Sequence, residues 1–391
     1  MADRRPRHAW WRDTHWRSIF AQALVLVALA GVVIWLVHNA ADALARRHVA
    51  SGFAFLDKTA GFGISQTLIA YSEEMSYGRA MLVGLVNTLL VSAISIALST
   101  LVGFIVGIGR LSSNWLVAKL CTVYVETLRN IPLLLQVLFW YFGVLQALPT
   151  PRDSITAGRW LVLNNRGVYV PELVFQTGSW LVVVALVVGL AAALGLHRWA
   201  QLRQLRTGHR PKVWWAMPLL IAGLPATVLC ITHVPFALSW PELSGFSYEG
   251  GLQINPELAG LTMALSIYTA AYVAEIVRAG LLSVARGQRE AAEALGLRRG
   301  PSLRLVLIPQ AMRVIIPPLA SEYLSLTKNS SLAIAIGYPD LVAVFAGTVL
   351  NQTGQAIEIL SITMAIYLAL SLITSALMNL YNRAHALEGL G

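Results

Sequence analysis

The stretch AMLVGLVNTLLVSAISIALSTLVGFIVGI, residues 80–108, is apolar almost throughout and has no charged side chain. A helix needs about 20 apolar residues to cross a bilayer, so this run predicts a membrane-spanning helix that can also tilt or project from the membrane. Gly103 and Gly107 are four residues apart, a spacing that favours close helix packing. This run therefore indicates a helical membrane protein.

The composition of the whole chain agrees with a membrane protein. Of the 391 residues, 57% are hydrophobic and 12% are charged, whereas soluble domains have about 25% charged residues. The net charge of +10 is explained by basic cytoplasmic loops, and no basic run is interleaved with aromatic residues as nucleic-acid binding requires. The two cysteines and eight histidines show neither a disulfide framework nor metal-ligand spacing.

Hydropathy predicts an all-α, polytopic helical membrane protein with about eight transmembrane helices. The predicted spans are 20–38, 80–108, 131–148, 178–196, 213–233, 258–282, 312–335 and 357–381. With both termini in the cytoplasm, the inner segments hold 19 of the 29 Lys and Arg residues and the outer segments hold 7. This asymmetry favours that orientation.

The first apolar segment has two interpretations. It is long for the core of a signal peptide and has a long basic leader, which favours a retained anchor. The small residues of NAADALA, 39–45, nevertheless offer a cleavage site, so removal of the segment stays open.

Polar intramembrane residues are concentrated in two parts of the chain, which predicts four regions. Residues 1–79 form an N-terminal addition with the first helix and an outer loop. Residues 80–149 form the first part of a core and 258–391 its second part, with a cytoplasmic loop at 283–311. Residues 150–257 are predicted to be an insertion of outer loops and two helices.

A short helix is predicted in that cytoplasmic loop, within QREAAEALGLRRG, residues 288–300. Gly287 or Gln288 can begin it, and Gly296 can close it in the left-handed conformation. Pro301 suits the start of a second short helix ending at Pro309. The small face made by Ala291, Ala292 and Ala294 favours docking of another protein, although a solvated loop helix explains the same residues.

This loop resembles the signature of permeases from ABC importers. Glu290, Ala291, Ala292 and Gly296 match its first part, and Val306, Ile308 and Pro309 match its aliphatic–x–aliphatic–Pro ending. GLVNTLLVS (84–92), RNIPLLLQVLFWYFG (129–143), YTAAYVAEIVRAGLLSV (268–284) and TKNSSLAIAIG (327–337) resemble the polar amino-acid branch. LNNRGVYVP (163–171) and the insertion resemble the larger permeases of general L-amino-acid transporters.

The resemblance implies a type I importer core in a bacterial inner membrane. The 287–309 loop would then contain a coupling helix that is seated on a separate ATPase subunit, which binds ATP and Mg²⁺, so this chain binds no cofactor. A second permease, a periplasmic amino-acid-binding protein, the lipid bilayer and small amino acids are the implied partners. The chain itself has no phosphate-binding GxxxxGK[ST] motif and no catalytic signature, so no enzyme activity is expected.

Charged and polar residues within the spans are the candidates for a substrate path, since burying them in a bilayer is unfavourable. They are Lys328, Asn329, Ser330, Ser331, Glu275 and Gln136. Each has a structural alternative: Glu275 can pair with Arg278 at i, i+3, and the polar run after Thr327 can join helices. Pro339 and Asp340 predict the start of a short outer helix.

The sequence therefore predicts the permease subunit of an ATP-driven amino-acid importer. An ion-coupled secondary transporter is the alternative, with Glu275 and Glu322 as its coupling carboxylates, but no matched pair of halves supports it. A membrane-anchored scaffold is a third reading, and it would more usually have a sizeable soluble domain.

Overall fold

The computed structural model describes residues 14–46, 52–174, 180–209, 211, 213–232 and 237–385. The predicted cytoplasmic ends, 1–13 and 386–391, lie outside these residues. The main helices are α1 (Thr14–Arg46), α2 (Tyr77–Gly109), α3 (Trp115–Asn130), α4 (Leu133–Leu145), α5 (Trp180–Thr207), α6 (Ala216–Ile231), α7 (Pro256–Leu282), α8 (Arg286–Ala294), α9 (Ile308–Asn329) and α10 (Ala356–His385). Short 3-10 helices cover Phe53–Asp57, Pro151–Asp153 and Ser330–Ile336.

Membrane-spanning length is reached by fewer helices than the eight predicted. Within the described residues six are long and apolar enough: Arg17–Leu36, Tyr77–Gly109, Trp180–Thr207, Pro256–Leu282, Gly300–Ile336 and Ala356–Ala376. A seventh is reached if α3 and α4, bent by 105°, form one broken span. The predicted span at 131–148 corresponds to α4, while the apolar helix pair starts earlier, at Trp115. The bend lies at Pro132, which cannot donate a helical hydrogen bond.

The fifth predicted span, 213–233, contains only the shorter apolar helix α6. A strand pair nevertheless joins the chain before α5 to the chain after α6, because β4 (Glu172–Val174) is antiparallel to β5 (Ala237–Ser239). The two ends of the α5–α6 hairpin therefore lie next to each other. At about 1.5 Å per residue, the 28 residues of α5 are long enough to cross a bilayer, and by Ala237 the chain has returned to the strand pair it left at Val174.

Short strands lie in residues 150–257, the predicted insertion, which the all-α prediction did not include. Besides β4 and β5, the strands are β1 (Ile155–Ala157), β2 (Leu161–Asn164), β3 (Gly167–Val170), β6 (Glu242–Ser244), β7 (Ser247–Glu249) and β8 (Leu252–Ile254). A four-stranded sheet has the order β1-β2-β3-β8, and β6 with β7 forms a hairpin. Val168 of β3 is paired with Ile254 of β8, so segments on either side of the hairpin meet in one sheet.

The chain divides into two compact units, Met1–Thr122 with Tyr272–Gly391, and Val123–Ala271. In the first unit Val273, Val277, Ala311, Ile315 and Leu319 form a buried cluster between α7 and α9. A second cluster contains Phe55, Leu341, Phe345, Val349 and Ile359. The second unit is wider than the predicted insertion 150–257, whose boundaries remain predictions.

Gly107 provides the close helix approach that its spacing with Gly103 predicts. A Cβ at Gly107 would lie 2.7 Å from the carbonyl oxygen of Ala274 and 2.9 Å from the Cβ of Val277. α2 and α7 therefore pack backbone to backbone at this point, which only glycine permits.

Candidate functional site

The predicted cytoplasmic helix is α8, and it begins at Arg286, one residue before the expected start. Its end is a Schellman motif: Gly296 N donates to Glu293 O at 2.9 Å, and Leu297 N donates to Ala292 O at 3.1 Å. Gly296 has φ +73°, the left-handed conformation predicted for it. The closure is therefore built from local hydrogen bonds and a glycine.

The second short helix does not end at Pro309, contrary to prediction. A helical turn at Arg299–Ser302 continues as a π-helix, Leu303–Leu307, and then as α9. Pro309 lies in the first turn of α9, where its missing N–H is least needed. The chain after α8 thus forms one continuous helical stretch, Gly300–Ile336.

The exposed face of α8 differs from the predicted alanine face. Ala292 is only 3% exposed and is turned toward the rest of the chain, whereas Ala291 and Ala294 are exposed. Leu295, at the end of the same helix, is 81% exposed. It is therefore the large apolar side chain that α8 leaves accessible.

Polar contacts brace α8. Gln310 Nε2 in α9 donates to Gln288 Oε1 at 3.1 Å, and within α8 Arg289 pairs with Glu293 at 3.2 Å. The buried Ala292 adds packing on the inner face. α8 and α9 are therefore in direct contact through the Gln288–Gln310 bond.

Glu275 is held by two arginines. It forms ion pairs with Arg278 at 2.6 Å and with Arg110, which follows the end of α2. The Arg278 pair was the structural alternative given for this residue, whereas Arg110 is too distant in sequence to have been found. Its carboxylate is thus already engaged within the chain.

The polar run at 328–331 lies where the helix changes type. α9 ends at Asn329, and the chain continues as the 3-10 helix Ser330–Ile336. The hydroxyl of Ser330 donates to Thr327 O and that of Ser331 to Lys328 O, both at 2.7 Å. The serines therefore bond their own helix, and the side chain of Lys328 is exposed.

Gln136 belongs to the second compact unit and stabilises the bend between α3 and α4. Its Nε2 donates to Leu128 O at 2.9 Å and to Ile131 O at 3.0 Å, and the residue is 4% exposed. These are carbonyls that the break at Pro132 leaves without helical partners. Gln136 thus holds a helix junction in place.

A helix follows Pro339 and Asp340, as expected, although both residues lie just before it and its outer position stays a prediction. A π-helix, Val342–Val349, begins just beyond them, and Asp340 Oδ1 accepts a bond from Ala343 N at 2.8 Å. Burial raises the pKa of Asp340 to about 7, against the lowering effect of backbone N–H donors. The acid therefore caps this helix from a fully buried position.

The buried outer part of α2 holds this segment. Asn87 Nδ2 donates to Pro339 O at 2.9 Å, and the hydroxyl of Tyr338 donates to Asn87 O at 3.0 Å. Thr88 Oγ1 accepts a bond from Leu341 N at 3.0 Å. Asn87 and Thr88 belong to the GLVNTLLVS stretch, and their hydrogen bonds hold the segment that follows α9 against α2.

Metal chemistry finds no support in the described part of the chain, since no three His, Cys, Asp or Glu side chains there are grouped to hold an ion. Glu322, named for the ion-coupled alternative, already has an interaction partner. The features that remain are the exposed helix α8 and the change of helix type at Ser330.

The sequence matches a family model described as "Binding-protein-dependent transport system inner membrane component" over residues 211–385. It is 52% identical over 375 residues to the general L-amino acid transport system permease protein AapQ of Rhizobium johnstonii, which covers 96% of this chain and 94% of the relative. The putative amino-acid ABC transporter permease protein YhdX of Escherichia coli is 51% identical, with 95% and 94% covered. BztB of Rhodobacter capsulatus, a glutamate/glutamine/aspartate/asparagine transport system permease protein, is 42% identical, with 96% and 95% covered.

Proposed function

Because this chain belongs to the family of inner-membrane components of binding-protein-dependent transport systems, we propose that it is the amino-acid permease of an ATP-driven importer, coupled to its ATPase through residues 287–309. Full-length relatives with amino-acid permease names support the substrate class. As a transport subunit, the chain performs no covalent chemistry.

The observation that carries the coupling role is the construction of α8. The helix is closed by Gly296, leaves Leu295 exposed and is tied to α9 by the Gln288–Gln310 bond. A groove on an ATPase would take the exposed leucine with Glu290 and Ala291 around it. ATP and Mg²⁺ are bound by that separate subunit.

Movement would pass from α8 along α9 to the change of helix type at Ser330. α9 is continuous with the coupling loop through the π-helix Leu303–Leu307, so it acts as a lever. The exposed Lys328 with Asn329 and Ser331 lines the proposed substrate path at the far end of that lever. Glu275 and Gln136, the other candidates for the path, are given a supporting role, because their polar atoms are engaged by Arg110 and Arg278 and by backbone carbonyls respectively.

The partners follow from the same family. A second permease, ATPase subunits and a periplasmic binding protein for amino acids would complete the complex in the bacterial inner membrane. Both termini are assigned to the cytoplasm from the distribution of Lys and Arg, and α8 then lies on the ATPase side.

The deciding experiment is uptake of labelled amino acids by the complete complex in liposomes, with the chain carrying Leu295→Asp. We expect uptake to fall to background while ATP hydrolysis continues or the ATPase dissociates. Leu205→Asp is the matched control, because Leu205 is 83% exposed on another predicted cytoplasmic segment. Uptake that needs no ATP and follows an ion gradient would establish the secondary transporter instead.

The substrate path is tested by Lys328→Met in the same complex. A changed preference between anionic and cationic amino acids is expected, since a positive side chain favours carboxylates. Unchanged rates and preference would remove Lys328 from the path.

A further inference from the structure

A pocket of about 320 Å³ opens on the inserted outer segment, beside the four-stranded sheet. Its lining residues are Thr150, Pro151, Arg152, Asn165, Arg166 and Phe246. We call it the arginine pocket. The lining residues come from the 3-10 helix Pro151–Asp153, the β2–β3 turn and the β6–β7 turn, so residues about 80 positions apart in sequence meet in this pocket.

Arg166 has a fixed backbone in the β2–β3 turn. Its N–H donates to Asn164 Oδ1 at 2.9 Å, and its carbonyl accepts a bond from Gln253 Nε2 of β8 at 3.1 Å. The following Gly167 has φ +132°, and a Cβ there would lie 2.3 Å from Ile254 O. The turn therefore cannot relax away from the sheet.

The same Asn164 side chain fixes the turn that carries Arg152. Asn164 Nδ2 donates to Ser154 Oγ at 3.0 Å, and Ser154 Oγ donates to Pro151 O at 2.7 Å. Asn164 is fully buried. One asparagine thus connects the backbones of both arginines, so the two backbone positions are fixed before a ligand binds.

The chemistry of the pocket is cationic with one open acceptor. Among the described residues no carboxylate forms an ion pair with Arg152 or Arg166, and the nearby Asp153 accepts a bond from Thr150 Oγ1 at 3.1 Å. The guanidinium of Arg152 lies 4.6 Å from the centroid of the Phe246 ring. Such a contact uses the guanidinium face and leaves its N–H edge free for a carboxylate.

Asn165 supplies the acceptor. Its Oδ1 is buried and has no hydrogen-bond partner, which is an unfavourable state for an amide oxygen. An ammonium or amide N–H from a ligand would satisfy it. Two guanidinium groups and one amide oxygen together match a molecule that has both a carboxylate and an amine.

We propose that the arginine pocket binds a small carboxylate, with α-amino acids as the matching class. The guanidinium edges of Arg152 and Arg166 hold the carboxylate, and Asn165 Oδ1 accepts from the ammonium. The choice of amino acids among carboxylates rests on the proposed function, whereas the preference for a carboxylate rests on the pocket alone. This site belongs to the inserted segment and is distinct from the Lys328 path.

The test is equilibrium binding of labelled L-alanine and L-glutamate to the full-length chain in lipid nanodiscs, without the ATPase or the delivery protein. Arg152→Gln and Arg166→Gln should each raise Kd about tenfold to a hundredfold, the effect of losing one charge-assisted contact. Arg159→Gln, an exposed arginine of the same segment that does not line the pocket, should bind as the wild type does. L-Alaninol, which lacks the carboxylate, should not compete.

Three results would overturn the site: no saturable binding to the wild type, equal competition by alaninol, or unchanged Kd in both pocket variants. The site is also rejected if both variants lose the ATP hydrolysis that the delivery protein stimulates, although free amino acid does not bind to the chain. That result would make the pocket a docking contact for the delivery protein. Uptake by the complete complex is measured separately. Wild-type uptake without binding here rejects the pocket alone, and binding here without ATP-driven uptake rejects the importer alone.

Discussion

Arg110 and Glu275 form an ion pair between the end of α2 and α7, although 165 residues separate them in sequence. Arg278 completes the group from the next turn of α7. α7 ends at Leu282, four residues before α8 begins. The ion pair therefore ties the base of α2 to the helix that leads into the coupling loop.

Glu275→Gln should destabilise this base, because two arginines then face each other without a carboxylate. We expect a loss of about 1–3 kcal/mol, the range for a partly buried charged hydrogen-bond partner, measured as a lower thermal unfolding temperature in detergent. Glu293→Gln is the control, since its pair with Arg289 is exposed and contributes less than about 1 kcal/mol. Equal stability of the two variants would show that the Glu275 group is not structural.

Gly107→Ala should push α2 and α7 apart. The added Cβ would meet the backbone oxygen of Ala274 at 2.7 Å, and overpacking of this kind costs about 1–3 kcal/mol. Gly195→Ala in α5 has nothing within 4 Å of its Cβ and should be neutral or slightly stabilising. A thermal melt of both variants checks the prediction, which fails if Gly107→Ala melts at or above the wild type.

Gly296→Ala should weaken coupling more than folding. A non-glycine residue at φ +73° is strained by about 1–2 kcal/mol, which loosens the Schellman closure and the position of Leu295. We expect slower uptake per ATP hydrolysed, with insertion unchanged. Gly300→Ala, which has open space around it and no positive φ, should transport normally; a similar defect there would point to a general effect of loop stiffness.

Ala292→Leu and Ala291→Leu should separate the two faces of α8. Ala292 is buried, so a larger side chain there should displace α8 from the chain and be detected as faster proteolysis of the isolated permease. Ala291 is exposed, so its replacement should leave the isolated chain unchanged and reduce ATPase binding. The faces are wrongly assigned if Ala291→Leu alone increases proteolysis.

Asp340 should make stability fall as pH rises. Burial raises its pKa from 3.8 to about 7, so the folded chain binds more protons than the unfolded chain between these values. Stability is then greatest below about pH 4, declines toward pH 7 and is level above it. Melting curves across that range should show the slope in the wild type and a smaller slope in Asp340→Asn; an unchanged slope assigns it to other groups.

Sequence was most informative where structure is local. The closure at Gly296 and the helix start after Pro339 depend on residues within one or two turns, and both were found. Ala292 and Leu295 show the limit: both lie in the same short helix, but which of them is buried depends on where α9 packs. No periodicity within nine residues can decide that.

Long-range pairing escaped the sequence for the same reason. The link from Arg110 to Glu275 needs the arrangement of α2 and α7, and the sheet joins β3 to β8 across the α5–α6 hairpin. Its strands have three or four residues each, too few for an alternating pattern to be distinguished from a loop. The side chain of Asn164 forms hydrogen bonds with two turns, and in the sequence it was noted only as part of LNNRGVYVP.

The pairing of β4 with β5 brings the entrance and exit of the α5–α6 hairpin side by side, with Val174 opposite Ala237. Opposed residues of antiparallel strands are only about 5 Å apart, a gap that a tight turn bridges. The hairpin therefore leaves and rejoins the rest of the chain at one place, so a change in its length need not move the strands at its base.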